Sequence, residues 1–137
     1  LMGRKKDPLE LRLAAIFGGL TAILAEARPD VVVVEQVFHG KNARSALILG
    51  HARGIILLAA ARFGAEVVSY APAAIKKTVT GSGAANKYQI QMMVKAMLGL
   101  PEIPAEDAAD ALAMAVCHCH HETEVTIRDR ISARPRN

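Results

Sequence analysis

The chain has 137 residues, 52% of them hydrophobic, and a formal net charge of +4. That length supports one packed core and excludes two ordinary domains, and the modest positive excess suits an anionic partner without requiring one. The most apolar stretches, Val31 to Val34 and Ile55 to Ala61, are far shorter than the roughly 20 residues that cross a bilayer, so no membrane span is expected.

The opening Leu1 to Lys6 carries positive charge with no long apolar stretch or small-residue cleavage site behind it, which excludes a secretory signal. From Pro8, Leu9, Leu11, Leu13, Ile16, Leu20, Ile23 and Leu24 recur at helical spacing, started by Asp7-Pro8 and stopped by Arg28-Pro29. Val31 to Val34 is an unbroken β-branched run and predicts a strand covered on both faces of a largely parallel sheet, with Glu35 at its carboxyl end.

Asn42 to Phe63 predicts a long helix whose apolar residues spread beyond one stripe and bury two faces. Glu66 to Tyr70 predicts a second strand ended by Pro72, and Ala73 to Val79 a short helix closed by the Gly81-Ser82-Gly83 turn. Asn86 caps a helix carrying Ile90, Met93, Val94, Met97 and Leu98, which Gly99, Pro101 and Pro104 terminate. The last helix runs from about Glu106 to His121, and residues 122–137 form a loose basic tail. Strands alternating with helices indicate an α/β domain over residues 1–121. Two strands make a thin sheet for so many helices, so further strands are expected before Leu1.

Three carboxylates could carry chemistry: Glu35 at a strand's carboxyl end, where ligands collect in open α/β sheets, and Asp107 and Asp110 in the first turns of the last helix. On that helix Asp107, Asp110, Ala111, Met114 and His118 share one face, which predicts that the face packs and carries both aspartates to its rim. The plain alternative is that the two aspartates complement the helix dipole and Glu35 is a solvated strand end. Cys117-His118-Cys119-His120-His121 suggests zinc, but on a helix these side chains radiate around the axis and four ligands cannot converge. The stretch around Gly81 fails as a phosphate-binding P-loop, because Asn86 stands where glycine is needed and Tyr88 where a hydroxyl residue is needed. His51, among apolar neighbours, reads as a packing or dimer-contact residue.

Four blocks then fall in a recognisable order and spacing: Glu35-Gln36-Val37-Phe38; Asn42-Ala43 with Ser45-Ala46-Leu47 and Gly50-His51-Ala52-Arg53-Gly54; Lys76 to Lys87; and Asp107-Ala108-Ala109-Asp110-Ala111-Leu112-Ala113 followed by His118-Cys119-His120. Over nearly its whole length the chain resembles the RuvC-type Holliday junction resolvases. The resemblance implies a ribonuclease H-like α/β fold, a central sheet flanked by helices, from which the N-terminal strands are absent. It implies a homodimeric endonuclease of recombination and repair that nicks two opposed strands of four-way junction DNA with carboxylate-held Mg²⁺ or Mn²⁺, in possible complex with a branch-migration helicase.

Glu35, Asp107 and Asp110 match three members of the family's acidic quartet, as catalytic and metal-binding residues. The fourth, an aspartate in a first strand reading roughly Gly-Ile-Asp-Pro-Gly, has no counterpart. Three carboxylates carry less charge than the divalent pair they would face, so the expectation is that the chain as it stands holds at most one metal weakly and does not cleave junctions. Phe38 matches a residue that stacks on a base near the junction point, against the ordinary reading of a core phenylalanine. Lys76 and Lys87 match basic residues near the scissile phosphate, against the ordinary reading of a solvated positive face. Two further readings remain: a module of this fold that grips junction DNA without cutting, and a related ribonuclease H-like nuclease with another substrate.

Overall fold

Proline and glycine mark the limits of most elements. The computed structural model describes residues 7–36 and 42–132, with side chains to residue 128. Where the length suggested a single core, the chain divides into two compact units, Leu1–Val68 and Ser69–Asn137.

In the first unit, Pro8 takes the N-cap position of α1 (Leu9–Ala27) in an extended conformation. A helix start has no use for the N–H that proline lacks. The helix ends where Arg28 turns left-handed (φ 43°) and donates its N–H to the Leu24 carbonyl at 2.9 Å, after which Pro29 bars continuation. β1 (Val31–Glu35) follows and pairs with β2 (Glu66–Tyr70) in a two-stranded parallel sheet. The Glu66 N–H donates to the Asp30 carbonyl at 2.8 Å where the pairing begins. Of the four valines only Val34 is fully buried, so the double cover expected of this strand is reached at one position.

The crossover is α2 (Ala43–Arg62), capped by the Asn42 side chain, which accepts the Arg44 N–H at 2.9 Å. α1 packs along it, and Ala59 and Ala60 are fully buried. The expectation of two buried faces is corrected: Leu47 is 62% exposed and Leu49 and Leu58 are each 51% exposed. One helix and two five-residue strands do not supply enough surface to cover a 20-residue helix that is apolar on more than one side.

By length and composition α2 is also long and apolar enough to cross a membrane, which the shorter apolar runs did not suggest. Arg53, near its middle, argues otherwise, since an arginine at the centre of a spanning helix costs about 2.5–3.5 kcal/mol. Here that guanidinium donates to the Glu35 backbone carbonyl at 2.6 Å.

The second unit builds a contiguous core. α3 (Pro72–Thr80) has Pro72 at its first turn and ends at Gly81 in the left-handed region (φ 79°). α4 (Lys87–Leu98) opens with a reciprocal capping box: the Gln89 N–H donates to Asn86 Oδ1, and the Asn86 N–H donates to Gln89 Oε1, both at 2.9 Å. α5 (Glu106–Ser132) packs against α3 and α4. Ile75, Val79, Ala85, Ile90, Val94, Ala113 and Cys117 form the core, flanked by Tyr70, Leu112 and Met114.

Two expectations about α5 are revised. Its buried stripe is Ala109, Ala113 and Cys117, while Ala111 lies exposed. The small side chains at four-residue spacing let the helix approach its neighbours closely, which moves the packed face away from the aspartates. The helix also continues past His121 to Ser132, over part of the segment expected to be a loose tail. No glycine or proline interrupts it between Pro104 and Pro135, and Glu124 precedes Arg128 by one turn in the favourable order.

Candidate functional site: two carboxylate-bearing elements

Glu35 is the last residue of β1, with its side chain exposed. The valine run favours extended backbone, and the Arg53 hydrogen bond to the Glu35 carbonyl fixes the point where the strand ends. Phe38 lies outside the described residues.

In the second unit, Pro101 and Pro104 break the chain before α5, and Gln91 Nε2 on α4 donates to the Pro104 carbonyl at 2.9 Å, tying α4 to the entry of α5. Glu106 and Asp107 fall in the first turn of α5 and Asp110 one turn on, all exposed. An Asp pair at i, i+3 faces the same side of a helix.

Lys87, the first residue of α4, makes an ion pair from Nζ to Glu106 Oε1, with side chains 72% and 46% exposed. Its pKa is raised, first by the hydrogen bond and charge of Glu106, which outweigh the opposing effect of desolvation, and further by Asp110 and then Asp107. The pair thus brings Lys87, at the start of α4, to the first turns of α5 that carry Glu106, Asp107 and Asp110. Lys76 is half-buried on α3, its carbonyl accepting from Thr80 Oγ1 at 2.8 Å.

Glu35 belongs to the first unit and the aspartates to the second. Among the described residues no three His, Cys, Asp or Glu converge as a metal cluster.

Three contributors were not visible in sequence. Glu106 pairs with Lys87 across a gap that includes a whole helix, and Arg53 reaches a backbone carbonyl that carries no sequence signal. The third is the hydrogen bond at 2.9 Å between the Tyr70 hydroxyl and His118 Nδ1, with the His121 ring 5.8 Å from the Tyr70 ring. In the Cys-His run, Cys117 points into the core, where its thiol meets Thr78 Oγ1 at 3.6 Å, while Cys119 is exposed.

Residues 1–118 match the family model of crossover junction endodeoxyribonuclease RuvC. The chain belongs to the RuvC family. A RuvC relative from Koribacter versatilis is 49% identical over 122 residues, covering 88% of this chain and 74% of its own. One from Desulforamulus reducens is 54% identical over 112 residues, covering 81% and 69%.

Two solved RuvC structures share the fold. Thermus thermophilus RuvC superposes with a TM-score of 0.82 at 32% identity, covering 92% of this chain and 76% of its own. The same protein in complex with a Holliday junction substrate gives 0.85 at 33%, covering 90% and 76%. The fold class is thereby the ribonuclease H-like α/β class expected from the sequence. Neither the fold nor these relatives gives ground for the expected loss of activity.

Proposed function

We propose that the chain is a crossover junction endodeoxyribonuclease, which resolves four-way DNA junctions in recombination and repair by hydrolysing a phosphodiester in each of two opposed strands. The observation that carries the reading is the grouping of Lys87 with Asp107 and Asp110 at two helix starts, in a chain about half identical to RuvC resolvases. Exposed carboxylates beside an exposed ammonium suit a phosphate that arrives with divalent metal.

The donor chemistry fits Mg²⁺ or Mn²⁺, because Glu35, Asp107 and Asp110 all offer carboxylate oxygens of the kind hard cations take. The bound metal would polarise a water and stabilise the leaving oxygen. The chain's own groups do the rest. Lys87 and Lys76 hold the DNA backbone by its phosphates, and Phe38 stacks on an opened base beside the cut. The exposed leucines of α2 make the homodimer contact, since an isologous pair presents two sites to a two-fold junction. A branch-migration helicase is a further partner, and the two free cysteines suit the reducing cytoplasm.

Glu35→Gln, Asp107→Asn and Asp110→Asn are each expected to lower cleavage of a synthetic four-way junction in Mg²⁺ by more than about 100-fold, since even partners behind the ligands matter 10–100-fold. Binding of the uncut junction should survive. Variants that cut as well as the wild type would remove the carboxylate assignment. Tight junction binding by a wild-type chain that never cuts would favour the non-cleaving module.

A further inference from the structure

The Lys87–Glu106 pair joins the first residue of α4 to the first residue of α5. Both side chains are exposed, but each springs from backbone whose position is set locally. The Asn86–Gln89 capping box sets the start of α4, and the Gln91–Pro104 hydrogen bond at 2.9 Å holds the approach to α5 beside it. Two helix N-termini and an ammonium make a place that attracts anions, and Glu106 supplies one from within the chain.

We propose that Glu106 is an internal competitor that occupies Lys87 in the free protein, so that a DNA phosphate must displace its carboxylate before Lys87 can grip the backbone. The inference rests on the proposed DNA contact of Lys87. Carboxylate and phosphate offer the ammonium the same kind of anionic oxygen, so the exchange needs no rearrangement of either helix. Its size is modest: an exposed ion pair is worth roughly up to fivefold in an equilibrium constant.

That magnitude tempers DNA binding rather than blocking it, and the cost is the same for any DNA whose phosphate Lys87 grips.

The test is equilibrium binding of a labelled linear duplex and a labelled four-way junction to the full chain in EDTA, across a salt series. The proteins are wild type, E106Q, K87A and the double variant. E106Q is expected to bind linear duplex and junction alike about three- to fivefold more tightly at low salt. Its log–log salt slope should steepen by up to about 0.9, as one more counterion is released without loss of an internal pair.

In the K87A background, E106Q should lose most of that gain. An equal gain with and without Lys87 would show that Glu106 acts by general repulsion and overturn the proposal. K87A that binds junction as the wild type does would instead overturn the DNA contact of Lys87 itself, and this inference with it. E106Q with unchanged binding, beside a K87A that binds weakly, would sink the inference alone.

Discussion

In the first unit the buried side chains are Leu24, Val34, Ala59, Ala60 and Ala65, three of them alanines, whereas the second buries Ile75, Val79, Ile90 and Val94 in one cluster with Ala85, Ala113 and Cys117. The first unit meanwhile leaves Leu47, Leu49 and Leu58 at least half exposed on α2. The second contains the packing that stabilises it, and the first holds the apolar surface that remains to be covered. Their polar groups divide differently again: Glu35 has its backbone fixed by Arg53, while Asp107 and Asp110 sit with the Lys87–Glu106 pair.

The sharpest way to break this contrast is to substitute one residue on each side of it. Val94→Ala removes a fully buried side chain from the second unit and should cost about 2 kcal/mol in denaturant unfolding. Leu49→Lys, on the exposed face of α2, should change chain stability by less than about 0.5 kcal/mol and shift the sedimenting species from dimer to monomer. If Leu49→Lys were as destabilising as Val94→Ala with no change of mass, the α2 face would be covered within the chain and the comparison would collapse.

A smaller effect separates the two asparagine caps. Asn86→Ala breaks a reciprocal box and should cost about 1 kcal/mol, more than Asn42→Ala, where a single side-chain bond to Arg44 is lost. Thermal melts of the two variants side by side check the order. Equal losses would mean that the Gln89 half of the box contributes nothing.

The smallest effect is expected at Tyr70→Phe, which removes the bond to His118 and should lower stability by about 0.5–1 kcal/mol near neutral pH. Burial first, then the neighbouring Cys117, Glu122 and Cys119, raises the Tyr70 hydroxyl above its ordinary pKa of 10.0. A raised folded-state value means that the contribution is complete below 10.0 and is lost as pH climbs through the folded value. The gap between wild type and Tyr70→Phe should therefore shrink above pH 10.0 in urea unfolding. A gap constant from neutral to strongly alkaline pH would count against the hydroxyl as its source.

Most element limits were legible because local chemistry sets them. Pro8, Arg28-Pro29, Asn42, Asn86 and Gly99 each act through their own backbone or an adjacent hydrogen bond, and the helices and strands begin and end beside them. Polar composition points to an early end of α5, whereas the absence of a helix breaker before Pro135 lets the helix run on to Ser132. A helical repeat allows several stripes, and Ala111 is as apolar as Ala109 until a neighbour chooses between them.

The sequence by itself determined the family, the α/β order of elements and the carboxylates and lysines to weigh, because these depend on residue identity and on spacing along the chain. Tertiary structure alone decided that Glu106 pairs with Lys87, that Arg53 holds the end of β1, and that Ala109, Ala113 and Cys117 rather than Asp107 and Ala111 meet the core. Each of these is a contact between residues far apart in the chain. Such contacts are selected by which faces pack and how closely, a competition that no local pattern encodes.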